Sequence, residues 1–234
     1  MLRLFVADAP DAAGGVRIPR AELRHLRVLR LGPGDRLCVF DDAGREHEVV
    51  LEQVTAREAT GRVVATSLAS RESPLELVLM PALVKHDRMD WVVEKATELG
   101  VARIAPVVTR FSVARGDHAE RWRRIATAAA KQCGRTRIPA VDAARPLDVA
   151  LADTWPGLRL VAWEEEQAAK LADLPDAASA AVMLIGPEGG LDAGEVDAAR
   201  AAGFTTVSLG RRVLRADTAA LVAIALCQQR WGDG

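Results

Sequence analysis

The stretch that most constrains this chain is Ala180 to Gly190, AAVMLIGPEGG. An apolar run, Ala181 to Ile185, breaks into a Gly-Pro turn, one carboxylate and two more glycines. A short run apolar on both faces and bounded by turn residues predicts a strand buried on both sides, as in a parallel sheet. Asp192 with Glu195 three residues on predicts a capped helix start directly after it. Strand, glycine loop and helix is the arrangement in which open α/β sheets hold ligands at the carboxyl ends of their strands. Gly186, Pro187, Gly189 and Gly190 are also ordinary turn residues, so a tight βα turn remains open beside a ligand loop. The loop carries no Lys-Ser/Thr and is not GxGxxG, which argues against a nucleoside triphosphate or a Rossmann-bound dinucleotide.

A length of 234 residues at 50% hydrophobic content allows one large domain or two smaller ones. Apolar runs such as Ala219 to Cys227 fall short of a membrane span, and the start MLRLFVADAP lacks a signal-peptide pattern, so a soluble cytoplasmic protein is expected. Cys38, Cys133 and Cys227 are odd in number and far apart, and are expected to be reduced. Neither they nor His25, His47, His86 and His118 have metal-ligand spacing, so no metal is expected. Net charge is −1, yet the distribution is uneven. Five Arg against Glu22 lie between Arg17 and Arg30, and eight Lys/Arg against Asp117 and Glu120 lie between Arg110 and Arg137. One such segment reads as a solvated face. Two, with the triplet Arg211, Arg212 and Arg215, point to a polyanion partner.

Residues 1 to about 70 show strand character at Leu2 to Val6, Arg36 to Phe40, Glu48 to Val54 and Arg62 to Leu68. A basic helix is expected over Arg20 to Leu31, carrying Arg24, Arg27 and Arg30. Such a unit, read as a small β-barrel, suits binding better than chemistry. The polar link Ser70 to Pro74 marks the boundary, giving domains 1–70 and 74–234. Beyond it strands alternate with helices: Leu75 to Met80, Ile104 to Val108, Leu158 to Ala162, Ala181 to Ile185 and Thr205 to Leu209, each followed by a helix. This pattern predicts a mostly parallel sheet covered by helices. Lys85 to Arg88 are placed in a loop before helix Asp87 to Leu99, which Gly100 closes. Helix His118 to Gly134 ends in a cluster of donors, Lys131 to Arg135. The acidic run Trp163 to Glu166 reads as charge at a helix start or as a flank of the ligand crevice. The last unit, Leu209 to Thr218, is a second glycine-containing loop opening a helix, with Asp217 or Thr218 expected as N-cap. Two such loops can wall one pocket.

The segments KHDRMDWVVEKATELGV, KQCGRTRIP, LIGPEGGL and LGRRVLRADTAAL, in that order, together with RHLRVLRLGPGD, resemble RsmE, the 16S ribosomal RNA (uracil-N3)-methyltransferases of the SPOUT superfamily. The resemblance implies a PUA-like β-barrel followed by an α/β domain whose C-terminal part is a deep trefoil knot. It also implies S-adenosylmethionine as methyl donor without a metal, 16S ribosomal RNA of the small subunit as partner, and a homodimer. It sets the donor against Ile185, Gly186, Pro187, Glu188, Gly189 and Gly190, and against Leu209, Gly210, Val213, Leu214, Arg215, Thr218 and Ala219. Arg215, Glu188 and Asp217 are the expected catalytic groups. Arg24, Arg27, Arg30, Lys85, Arg88, Arg110, Lys131 and Arg135 are the expected RNA contacts. Two departures from the family pattern stand out: Arg215-Ala216-Asp217-Thr218-Ala219 where Arg-Thr-Glu-Thr-Ala is usual, and Thr109-Arg110-Phe111-Ser112 where Thr-Glu-Arg-Ser is usual. Two other classes fit the residues less well: a ribosome-assembly protein without catalysis, and an RNA ribose 2′-O-methyltransferase.

Overall fold

The computed structural model describes every residue except Ala9, Ala69, Ser70, Ala114, Arg115 and Asp117, and the side chain of His86. The first residue of the expected link, Ser70, and two charges of the second basic segment, Arg115 and Asp117, therefore lie outside the described residues. Two units separate: Met1–Glu72 with Ala130–Ile138, and Ser73–Ala129 with Pro139–Gly234.

The first unit holds β1 (Arg3–Phe5), β2 (Gly15–Ile18), helix α1 (Leu23–Val28), β3 (Arg36–Phe40), β4 (Glu46–Val54) and β5 (Ala59–Ser67). They form one curled sheet in the order β1-β3-β4-β5-β2, antiparallel apart from the β1–β3 pair. The expected barrel is not closed: among the described residues the edge strands β1 and β2 do not pair with each other. Edges of three and four residues leave little ladder to expose. Alternation along the strands sends Leu4, Val16, Leu37, Val49 and Leu51 inward, where Leu23 and Leu26 of α1 join them. Strand β2 carries no clear apolar signal and was missing from the sequence expectation.

Helix α1 is shorter than the expected Arg20 to Leu31. It begins as one 3-10 turn, Arg20–Glu22, and ends in a left-handed residue at Arg30, φ 57. The Leu31 amide returns to the Leu26 carbonyl at 2.9 Å and the Arg30 amide to that of Arg27 at 3.1 Å, a Schellman closure built without glycine. Gly100 does the same for α2 in the expected way, with φ 81 and the Val101 amide on the Ala96 carbonyl at 3.0 Å.

The second unit contains β6 (Glu76–Pro81), α2 (His86–Glu98), β7 (Arg103–Ile104), β8 (Val107–Val108), the greater part of α3 (Ala119–Cys133), β9 (Ala140–Val141), β10 (Arg145–Pro146), α4 (Leu147–Leu151), β11 (Leu158–Ala162), β12 (Ala180–Ile185), α5 (Ala193–Ala201), β13 (Thr205–Val207) and α6 (Ala216–Trp231). Six strands make a wholly parallel sheet, order β13-β11-β12-β6-β7-β9. Strand β12 lies between β11 and β6 with all six residues buried, which is why it reads as an unbroken apolar run. Helix α6 packs on α2, β6 and β12.

Four expectations change. The single strand Ile104 to Val108 is two strands in different sheets, because Pro106 between them cannot donate to a ladder. The helix expected between β11 and β12 is absent; that connection holds only a 3-10 turn, Leu171–Asp173. Residues 141–156, unassigned from sequence, supply β10 and α4, whose Leu147 and Ala150 join the core with Trp155. Asp87 and Arg88 stand in the first turn of α2 rather than in a preceding loop, with Lys85 as N-cap. The three cysteines are unpaired, and burial pushes the Cys227 thiol up to about 12.

Candidate active site

Strand register builds the site. Ala162 of β11 pairs with Ile185 of β12 and with Val207 of β13, so the three strands end at one level and their outgoing loops converge. The loops line an open cleft whose empty space, its solvent-facing mouth included, is about 690 Å³. Trp163 and Glu164 come from the first loop. Gly186, Pro187, Glu188 and Gly190 come from the second, and Leu209 to Leu214 from the third. Ala162, Ile185, Ala216 and Ala219 complete the lining.

The second loop has the form its glycines predicted. The Gly190 amide closes a turn on the Pro187 carbonyl at 3.0 Å, and Gly190 holds φ 74, a conformation that costs a side-chain-bearing residue about 1–2 kcal/mol. A Cβ on Gly190 would overlap the Glu164 carboxylate. Asp192 then caps α5: its side chain accepts from the Gly194 amide at 3.0 Å while Glu195 accepts from the Asp192 amide at 3.0 Å, the predicted capping box.

The first loop is held by Glu166. Its carboxylate accepts from the Thr206 hydroxyl at 2.7 Å and from the amides of Ala168 and Ala169 at 3.0 and 3.1 Å. The Thr206 hydroxyl foremost, then those amides and the nearby Arg200 charge, hold the Glu166 carboxyl down to about 2. The Ser208 amide on the Ala169 carbonyl at 2.8 Å ties the same loop to the end of β13. A carboxyl depressed below its ordinary 4.5 stabilises the fold above that pH and loses its contribution as pH falls toward 2. The melting-temperature deficit of Glu166→Ala is therefore expected to be full at neutral pH, to shrink below about 4.5 and to vanish near 2; a deficit unchanged at acid pH would contradict it.

Most of the expected donor residues meet at this cleft: Ile185, Gly186, Pro187, Glu188, Gly190, Leu209, Gly210, Val213, Leu214 and Ala219. Gly189, Arg215, Asp217 and Thr218 are not among its lining. Gly189 turns toward Phe111, whose Cβ lies 3.0 Å from where a Gly189 Cβ would stand. Helix α6 starts earlier than expected: Arg215, extended at φ −63 and ψ 150, is the N-cap in place of Asp217 or Thr218. Asp217 falls in the first turn, where it accepts from the Thr218 amide at 2.9 Å and complements the helix dipole.

The expected RNA contacts divide. Arg24, Arg27, Arg30 and Lys85 are exposed. Arg88 faces Glu188 at 3.7 Å, and Arg110 reaches Asp192 at 2.7 Å. Lys131 pairs with Glu22 at 2.5 Å. Arg135 is buried with its guanidinium on Glu72 at 2.6 and 2.9 Å, while the other Glu72 oxygen accepts the amides of Thr136 and Arg137. The cations of Lys131 and Arg135 are thus neutralised within the first unit. Of the two readings of the run Trp163 to Glu166, the flank of the crevice holds for Trp163 and Glu164, while Arg211 and Arg212, expected with Arg215 to meet a polyanion, line the cleft as well; the signal is the aligned ends of β11, β12 and β13, which no local pattern reports. Among the described residues no group of three His, Cys, Asp or Glu is placed to hold a metal, and no helix is long and apolar enough to cross a membrane.

The RNA methyltransferase domain model matches residues 71–228, and the RNA methyltransferase PUA domain model matches 18–64. A ribosomal RNA small subunit methyltransferase E of Synechocystis sp. is 33% identical over 95% of this chain and 76% of its own length. The Mycobacterium tuberculosis protein of that name is 32% identical over 97% of this chain and 93% of its own. The crystal structure of ribosomal RNA small subunit methyltransferase E from Neisseria gonorrhoeae, bound to S-adenosyl methionine, matches with a TM-score of 0.92 and 34% identity, covering 100% of this chain and 99% of that one. By sequence and by fold, the chain belongs to the ribosomal RNA small subunit methyltransferase E family of RNA methyltransferases.

Proposed function

We propose that the chain methylates small-subunit ribosomal RNA with S-adenosylmethionine as donor, at N3 of a uridine in the 16S molecule. The observation that carries this reading is the cleft at the ends of β11, β12 and β13, in a chain so close to a relative solved with that donor. The residues fit the group. Glycines at 186 and 190 let a ligand approach the backbone, Leu209 and Leu214 offer apolar flanks to a base, and the carboxylates of Glu164 and Glu188 offset a cationic ligand. In the same reading, residues 1–70 form the RNA-binding domain and 74–234 the catalytic domain, with the C-terminal strands and loops tied in a trefoil knot. A cytoplasmic homodimer completes it, which the mass in solution tests.

Bound S-adenosylmethionine supplies an electrophilic methyl group on a sulfonium. The chain has to hold an exposed uracil in line with it and compensate the N3 proton. Arg215, exposed at the start of α6, is assigned to the uracil oxygens, where a guanidinium stabilises the charge that develops as N3 loses its proton. Glu188 lines the cleft and is the favoured orienting or proton-accepting carboxylate; Asp217, outside the lining and engaged with the Thr218 amide, is second. Arg24, Arg27 and Arg30 in the first unit, and Lys85, Arg88 and Arg110 in the second, are assigned to RNA. Lys131 and Arg135 act within the fold through Glu22 and Glu72.

Labelled methyl transfer to undermethylated small subunits, followed by nucleoside analysis, tests the reading. N3-methyluridine is the expected product, and Arg215→Ala is expected to lower the single-turnover rate roughly 100-fold, the scale for loss of a charge-stabilising donor. Label on a ribose oxygen, or donor binding without transfer, would replace it.

A further inference from the structure

Phe111 stands out once the site is built. Of the four phenylalanines it alone is exposed, at 44%; Phe40 and Phe204 are core and Phe5 is half-buried. The turn that carries it is braced. Thr109 and Ser112 close a turn on each other, the Thr109 amide on Ser112 Oγ and the Ser112 amide on the Thr109 carbonyl, both at 3.1 Å. The Arg110 amide donates to Glu195 Oε1 at 2.8 Å, and the Arg110 guanidinium to Asp192 at 2.7 Å. Those two carboxylates are the capping box that starts α5, two residues beyond the glycine loop. The ring root rests on Gly189, where an added Cβ would stand 3.0 Å from the Phe111 Cβ and push it by a few tenths of an ångström. The glycine loop thus has Glu164 and the cleft at Gly190, and an anchored aromatic ring at Gly189.

We propose that Phe111 is a stacking platform for an unpaired nucleobase flanking the methylated nucleotide, with Arg110 meeting the phosphate of the same strand. The inference rests on the RNA methyltransferase reading and adds to it a subsite for the neighbouring base. Three observations carry it. An exposed ring on a braced turn loses little freedom when a base stacks on it. The Arg110 guanidinium lies over one side of the ring, 5.5 Å from its centroid, and its side chain is 66% exposed, which sets a cation for the strand against the ring that holds its base. The ring abuts the loop that walls the cleft, so the base it holds lies next to the one presented for reaction. Every base offers a π-face, so this contact sets strand path and register without reading sequence.

The test compares wild type with Phe111→Ala, Phe111→Leu and Phe111→Trp, all as the full chain. Binding to undermethylated small subunits is measured by filter retention without donor, and S-adenosylmethionine affinity by calorimetry. Loss of one base stack is expected to weaken RNA binding roughly tenfold in the Ala and Leu variants, while Trp stays near wild type and donor affinity is unchanged in all three. A Leu variant that binds as wild type assigns the ring to plain apolar contact, whether with protein or RNA, and overturns the proposal. A parallel loss of donor affinity would make Phe111 a prop for the glycine loop and overturn it too. The two readings fail separately: wild type that binds subunits but transfers no methyl removes the function and leaves the variant comparison to decide the platform.

Discussion

Gly190→Ala is expected to weaken S-adenosylmethionine binding roughly 10- to 100-fold, the worth of one charge-assisted contact, while costing the fold only about 1–2 kcal/mol. The two effects have separate causes. The stability cost is backbone strain, since φ 74 suits glycine and not alanine. The affinity cost is displacement, since the new methyl group would occupy the space of the Glu164 carboxylate and drive it from the cleft wall. Calorimetric titration with the donor checks the first number and thermal melting the second. Glu164→Gln separates charge from position: it keeps the side chain in place, and is expected to recover part of the affinity if volume matters and none if charge alone does. Donor affinity equal to wild type in Gly190→Ala would show that the donor does not use this wall.

Glu72→Ala is expected to destabilise the first unit by about 3 kcal/mol, because it removes the carboxylate that faces the buried Arg135 guanidinium. Glu72 also accepts the amides of Thr136 and Arg137, so it fixes residues 135–137 against the N-terminal segment with which they cluster. Glu72→Gln keeps the shape and part of the hydrogen bonding, and should cost less. Tryptophan fluorescence would miss the effect, since Trp91, Trp122, Trp155, Trp163 and Trp231 all lie in the second unit. Amide hydrogen exchange of β3, β4 and β5 reports on the right part of the molecule. Unchanged protection there in Glu72→Ala would mean that the Glu72–Arg135 ion pair adds nothing to the stability of the first unit.

The Arg135 case shows how charge reads in sequence. A run of cations after α3 looks the same whether it faces RNA or a carboxylate 63 positions away, as Arg135 faces Glu72. Lys131 and Glu22 repeat the point across 109 positions. Arg24 and Arg27 were legible as a surface face because helical spacing alone separates them from Leu23 and Leu26, whereas Arg30 lies past the helix end in a left-handed conformation. Helix starts divide the same way. The box at Asp192 and Glu195 is local, within four residues, and sequence shows it. The start of α6 at Ala216 has Arg215 as its N-cap and no side-chain cap hydrogen bond, so the capping signal of Asp217 pointed two residues too late.

Sequence alone determined the elements whose cause is local: β12, because burial on both faces leaves no polar position; the glycine loop after it; the capped start of α5; and the alternation of strand and helix that demands a parallel sheet. The order of four motifs added the family. Sequence offered the glycine loop and the Leu209 to Thr218 loop as walls of one pocket; only the tertiary structure decided that the loop after β11 joins them, because Ala162, Ile185 and Val207 lie at one level of the sheet. The same pairing brought Trp163 and Glu164 to the cleft wall. The tertiary structure also set Phe111, exposed, beside Gly189, a contact across 78 positions that no periodicity can carry.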